Sequence, residues 1–254
     1  AGGDVFHQPA RKGIFIKGTV QLMQERRICS ETVRRALEKN PFEKLSNIVF
    51  TILEGAILSS ELPPGARLNV AKIAGELEVS ATPVREAIRM LEQKGLVEVV
   101  PHKGAVVLGI DEKDLEDIYT IRMYIEGLAA KWAAARITAD QLRDLTEIVD
   151  LQEFYHMKNA PIKINDLDSR FHERLYQYSG SRTLSHTLSE LHHMILWFRE
   201  LSFSSEGRAE KAIEEHRQIL DALTKGDGEL AERLTVEHIS NAKNNLLEII
   251  KSRK

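Results

Sequence analysis

A chain of 254 residues, 43% hydrophobic and with one cysteine (Cys29), holds apolar material for two modest cores but cannot build an internal disulfide framework. No apolar run reaches the ~20 residues of a membrane helix and no charged-then-apolar leader opens the chain, so a soluble protein of the reducing cytoplasm, with no membrane partner, is expected. The net charge of −3 is unevenly spread: residues 1–110 carry 15 basic and 12 acidic side chains, residues 111–254 carry 20 and 26, so a mildly basic first part precedes an acidic second part.

Residues 1–40 read as an extension. Gly2, Gly3, Pro9, Gly13 and Gly18 punctuate its start, and a short helix is predicted over 31–39, with Ser30 as N-cap and Val33, Ala36 and Leu37 on one face. With eight basic and four acidic residues, the segment is either a loosely held arm or a basic arm that assists nucleic-acid contact.

A first domain is expected over 41–110. Leu45, Ile48, Val49, Ile52, Leu53, Ala56 and Ile57 recur at helical spacing, and Pro63-Pro64-Gly65 then forces a turn. A shorter helix with Val70, Ile73, Ala74 and Leu77 inward follows. After the turn Glu78-Val79-Ser80 comes a third helix, capped by Ser80 or Thr82, with Pro83 in its first turn and Val84, Ala87, Ile88 and Leu91 buried. Residues 96–100 and 105–108 are β-rich runs on either side of Pro101-His102-Lys103-Gly104, which reads as a hairpin. Helix, helix, turn, helix, hairpin is the order of a winged helix-turn-helix.

The second domain, 111–254, shows helical periodicity at 112–136, 138–157, 163–179, 182–201, 206–225 and 228–252, with breakers at Pro161, Ser179-Gly180, Gly207 and Gly226-Asp227-Gly228. The fold class expected is mainly α: an N-terminal winged helix-turn-helix joined to a C-terminal antiparallel six-helix bundle.

Opposite its buried stripe, the third helix carries Thr82, Arg85, Glu86, Arg89, Glu92 and Gln93. Reading a base edge in the major groove needs a long donor near the helix start, and the fork of arginine suits guanine, which singles out Arg85. Thr82 can reach a phosphate or a thymine methyl, and Arg89 a phosphate. Lys72 and the wing residue Lys103 stand where backbone or minor-groove contact is expected. A solvated helix face is the bland alternative for each arginine taken singly.

The stretches Leu62-Pro63-Pro64-Gly65-Ala66-Arg67-Leu68, Val79-Ser80-Ala81-Thr82-Pro83-Val84-Arg85-Glu86-Ala87 and Leu91-Glu92-Gln93-Lys94-Gly95-Leu96-Val97 closely resemble the GntR family of bacterial transcriptional regulators over residues 44–110. The resemblance implies that Lys72, Thr82, Arg85 and Gly104 touch double-stranded operator DNA. Many members carry arginine where this chain has Ala81, which removes one contact from the implied set.

In the second domain Asp168 and His172 are four apart and share a face with Ile164, Phe171 and Leu175. His216 lies on the stripe of Ala209, Ala212, Ile213, Ile219, Leu220 and Leu223, and His238 continues that of Leu230 and Leu234, with Asn241 and Asn245 following on the same side. One inward histidine is usually a hydrogen-bonded core residue. Four potential ligands facing one core are harder to bury unpaired, at roughly 1–3 kcal/mol per unsatisfied polar group, and a divalent cation would satisfy them together. The donor types suit zinc, nickel or manganese. Both readings stand on periodicity alone.

The layout of Asp168, His172, His216 in Glu215-His216-Arg217-Gln218-Ile219-Leu220, and His238 resembles the metal-binding FCD effector domain of the FadR branch of that family, in its six-helix, VanR-like form. The resemblance implies a metal, zinc above all, held by these four residues, with open positions that accept a small organic or sugar acid. It also implies that Arg122, in Ile121-Arg122-Met123-Tyr124, faces the same cavity; Asn241 and Asn245 are expected to line the rest. His186, His192 and His193 read as structural or surface residues, with at most one of the last two inward. Lys211, Glu214, Glu215 and Arg217 read as a solvated face.

The reading is of a regulator, a homodimer on a palindromic site, acting as a repressor. No His-Glu-x-x-His signature, activated nucleophile or phosphate-cradling glycine loop speaks for an enzyme. A metal-dependent enzyme fused to a DNA-binding domain, and an architectural or metal-sensing DNA-binding protein without an organic effector, are the alternatives.

Overall fold

The structure is a computed structural model and describes residues 28–59, 61–100, 104–203, 205 and 207–252. It divides into two compact units, Ala1–Glu112 and Lys113–Lys254.

In the first unit α1 (Ser30–Lys39) packs on α2 (Leu45–Leu58) and α3 (Val70–Leu77) through Val33, and Arg34 pairs with Glu78 at 2.8 Å. So the described part of the extension forms the helix its periodicity predicts, except that Ser30 is its first residue and Cys29 takes the cap position; residues 1–27 lie outside the described part. Helix α2 is apolar on nearly every side and forms the centre of the unit against α4 (Ala81–Gln93), whose Val84, Ala87, Ile88 and Leu91 are buried as the pattern requires. Asn69 caps α3 by accepting the Lys72 N–H at 3.0 Å. The turn into α4 is made by Glu78 in the left-handed conformation, φ 54°, with the Val79 N–H returning to Ala74 O at 3.0 Å.

A three-stranded antiparallel sheet in the order β1-β3-β2 closes the unit, from β1 (Arg67–Leu68), β2 (Val97–Val100) and β3 (Gly104–Val107). The hairpin is the expected wing. The two-residue β1 is not legible in the sequence, because it exists only by pairing Arg67 with Val106 and Leu68 with Ala105. Gly104 opens β3 at φ +81°, a conformation that L side chains rarely adopt, which accounts for glycine at that point of the wing.

The second unit is six helices: α5 (Glu112–Ala134), α6 (Ala139–Met157), α7 (Pro161–Tyr178), α8 (Arg182–Phe203), α9 (Arg208–Thr224) and α10 (Gly228–Ser252). Their limits follow the local signals. Thr138 and Gln141 form a capping box at the start of α6, and Pro161 takes the first position of α7, where its missing N–H costs nothing. Ala130, Ala133, Leu145, Ile148, Phe171, Leu175, Ile219, Leu223 and Ala231 merge five helices into one core, while α8 joins through Leu188, packed with Ala129 and Tyr176. Among the described residues no helix is long and apolar enough to cross a membrane.

Candidate metal centre and nucleic-acid interface

Helix α7 turns Asp168 and His172 inward because Ile164, Phe171 and Leu175 share their face. Helix α9 brings His216 in among Ala212, Ile213, Ile219 and Leu220, and α10 brings His238 beside Thr235 and Ile239. All four side chains are buried, and one potential ligand atom from each lies within 4.8 Å of the others. The residues selected by spacing therefore meet at one point. Phe171 stacks on His216 with ring centroids 4.1 Å apart, which holds that ring in position.

Each histidine is oriented from behind. Nδ1 of His172 lies 2.9 Å from Glu126 Oε2, that of His216 lies 3.0 Å from Gln152 Oε1, and that of His238 lies 2.6 Å from Glu215 Oε2. An ionised carboxylate can only accept, so Nδ1 of His172 and of His238 donates; the amide oxygen assigned to Gln152 gives His216 the same tautomer. In a neutral ring so turned, Nε2 is the acceptor, and all three Nε2 atoms stand on the inner side. Nε2 of His172 and His238 stand 3.2 Å apart, and Nε2 of His216 is 3.5 Å from Asp168 Oδ1.

Two nitrogen lone pairs at such a distance repel unless a proton or a cation lies between them. Two nitrogens bound at ~2.0–2.1 Å to one tetrahedral zinc would themselves be ~3.3 Å apart. Three imidazoles turned by hydrogen bonds at their backs, and a carboxylate, are a donor set that fits a divalent cation. The cluster could hold a metal, as FCD domains often do.

Burial alone would raise the carboxyl of Glu126, but the Arg122 guanidinium, whose Nε donates to Oε1 at 2.6 Å, and His172 outweigh it and hold Glu126 below the usual carboxylate range. Burial, with Arg122 and His172 nearby, keeps the proton affinity of His192 well below that of a free histidine. His192 is the inward one of its pair, 3.4 Å from the Tyr176 hydroxyl, and His193 is exposed.

A small cavity adjoins the cluster, walled in part by Tyr119, Arg122, Asp168, Ser202, Arg208 and His238. Arg122 is thus buried in its wall. Asn241 donates to Glu215 Oε1 at 2.8 Å, and Asn245 donates to Ser202 Oγ at 2.7 Å. Sequence reasoning missed Glu126, Gln152, Arg208 and Glu215. For Glu215 the reading as part of a solvated face is corrected: its side chain is 17% exposed and accepts from Arg208, His238 and Asn241. The one available signal was spacing, since Arg208 and Glu215 are two helical turns apart and share a face of α9. Arg217, by contrast, pairs with Asp150 and Glu153 at 2.7 Å across an exposed edge.

On the first unit Thr82, Arg85 and Arg89 are all exposed on α4, opposite its buried stripe. Lys72 is exposed on α3, with Nζ 3.7 Å from Glu76. Gly104 is exposed at the tip end of the wing, where it pairs with Val100, and Lys103 and His102 lie outside the described residues.

Residues 45–107 match the family described as "Bacterial regulatory proteins, gntR family", and residues 117–241 match the FCD domain. A relative in Paenarthrobacter nicotinovorans, "Probable D-xylose utilization operon transcriptional repressor", is 30% identical over 200 residues, covering 75% of this chain and 83% of its own length. In Bacillus subtilis, "Uncharacterized HTH-type transcriptional regulator YdhC" is 28% identical over 203 residues, 80% of this chain and 91% of the relative. The solved structure of "E. coli McbR/YncC" superimposes with a TM-score of 0.65 over 82% of this chain and 99% of that one, at 23% identity, a likeness of fold. The chain belongs to the GntR family of bacterial regulatory proteins, with an FCD domain behind its winged helix-turn-helix. It is a transcriptional regulator, and regulators of this family bind operator DNA.

Proposed function

We propose that this regulator is a cytoplasmic homodimer that represses transcription from a palindromic operator, and that a small organic or sugar acid bound at a zinc site in the FCD domain alters its hold on DNA. The observation that carries the reading is the set of three Nδ1 bonds to Glu126, Gln152 and Glu215, which leave three Nε2 atoms and Asp168 converging. Asp168, His172, His216 and His238 are the proposed ligands. Arg122, in the cavity wall, supplies a buried cation for a carboxylate; Asn241 and Asn245, outside that wall, act through Glu215 and Ser202, to which they donate. One relative is named for a D-xylose utilization operon, and a sugar acid adds to such a sugar the carboxylate that Arg122 suits.

On the DNA side Arg85 is the proposed base reader, with Thr82, Arg89, Lys72, Lys103 and Gly104 on the backbone or in the minor groove. One recognition helix offers too few reading side chains for specificity, and a two-fold dimer doubles them. The metal has no catalytic duty in this reading; it is a fixed charge against which an acid is held. Linkage then requires operator DNA and acid to change each other's affinity by one factor, typically ~5–150-fold.

The test is a thermal-shift screen of small organic and sugar acids on zinc-loaded and chelated protein. Stabilisation by an acid that vanishes on chelation supports the reading. Stabilisation by zinc with no response to any acid favours a metal sensor without an organic effector.

A further inference from the structure

Two of the three histidines are tied to arginines by the same kind of chain. Arg122 Nε donates to one oxygen of Glu126, whose other oxygen holds His172 Nδ1. Arg208 donates through both Nη1 and Nη2 to Glu215 Oε2 at 3.0 Å, and that oxygen also holds His238 Nδ1 at 2.6 Å. Gln152, behind His216, is neutral. Both arginines are buried, and both stand in the cavity wall with Asp168 and His238.

A carboxylate behind a histidine ligand makes the ring a stronger donor, in proportion to the negative charge it lends. A guanidinium on the same carboxylate takes part of that charge back and also repels a dication directly. Asp168, with Glu126 and Glu215 behind the histidines, against Arg122 and Arg208 leaves the site as a whole one charge negative without a metal and one charge positive with a dication. An anion is therefore repelled before the metal arrives and attracted after it.

We propose that Arg208 is a positioning residue that restrains the metal: its charge, acting on the metal directly and through Glu215 and His238, keeps metal affinity below what the ligands alone would give, and an anion that neutralises Arg208 lifts the restraint. The proposal rests on the metal-and-acid reading above and adds the residue that couples the two. Removing the arginine then imitates the acid-bound state. A purely structural Arg208 predicts the opposite sign, because losing it would loosen Glu215 and His238 and weaken the site.

The experiment measures zinc affinity of the full chain by competition with a chromophoric chelator, without added acid. Glu215→Gln is expected to bind zinc about 10–100-fold more weakly, the usual loss for a partner behind a ligand. Arg208→Gln is expected to bind it at least about threefold more tightly, and Arg208→Lys, which keeps the charge, to return to the wild-type value. Should Arg208→Gln not fold, Glu215→Gln is compared with the double variant Glu215→Gln/Arg208→Gln, which removes both charges together; loss of the arginine must tighten zinc on that background. Equal or weaker binding on losing the arginine overturns the proposal and leaves the metal reading standing. A wild-type protein that binds no zinc overturns both.

Discussion

Nε2 of His172 and Nε2 of His238 face one another at 3.2 Å, and with their far nitrogens bonded to Glu126 and Glu215 both inner atoms are acceptors when the rings are neutral. A cation between them relieves that opposition, so zinc should bind the folded chain and not the unfolded one. Linkage sets the size: about 2.7 kcal/mol of added stability at a free zinc concentration of a hundred times Kd. A thermal melt should rise with zinc and fall back with chelator, and His238→Ala should lose the shift. A melt indifferent to zinc would mean that the two rings share a proton instead.

Helix α5 passes close to α10 at Gly127, where an added Cβ would sit 2.8 Å from Val236 Cγ2 and 3.3 Å from Glu232 Cγ. Alanine gains ~1 kcal/mol in helix propensity over glycine, but overpacking against a branched side chain costs about 1–3 kcal/mol. Gly127→Ala should lower the urea midpoint, and adding Val236→Ala should restore it. A Gly127→Ala protein more stable than the wild type would show that the two helices part easily.

Tyr178 donates to Asp144, and burial together with that bond pushes its phenol up to about 12. A phenol raised above its ordinary value of 10.0 favours the folded state fully below pH 10, and that contribution is lost as pH climbs from 10 toward 12. Wild type should therefore lose stability over this window more steeply than Tyr178→Phe in chemical denaturation. Parallel alkaline limbs for the two proteins would contradict the sign.

Arg85 is exposed on the face of α4 that carries Thr82 and Arg89. Arg85→Ala should cost about 1–3 kcal/mol of specific binding and relax the preference at one base pair. Lys72→Ala should weaken binding to all sequences alike and reduce the salt slope by about one. Titrations of operator and scrambled duplexes at several salt concentrations separate the two. Wild-type operator affinity in Arg85→Ala would mean that another face of α4 enters the groove.

What the sequence made legible was whatever repeats along one helix. Asp168 and His172 share a face by their spacing, the stripes of α9 and α10 give His216 and His238 away, and helix limits follow Pro161, Gly180, Gly207 and Gly226. The groups behind the histidines were not legible, because Glu126 and Gln152 reach them from α5 and α6, across gaps of 46 and 64 residues. Glu215 looked like its exposed neighbour Glu214; the approach of His238 and Asn241 from α10 and of Arg208 from two turns earlier draws it in. The short β1 escaped for a similar reason, being defined by its partner strand and not by any pattern in Arg67 and Leu68.

Titration calorimetry of zinc into the metal-free chain, wild type beside His216→Ala, tests the central claim most directly. His216 is wholly buried, held by Gln152 and stacked on Phe171, with its Nε2 3.5 Å from Asp168 Oδ1. One equivalent of zinc per chain in the wild type, and none in a His216→Ala protein that keeps its helical spectrum and still binds operator DNA, is the predicted result. A wild type that takes up no stoichiometric metal, or a folded His216→Ala that keeps a full equivalent, would contradict the account.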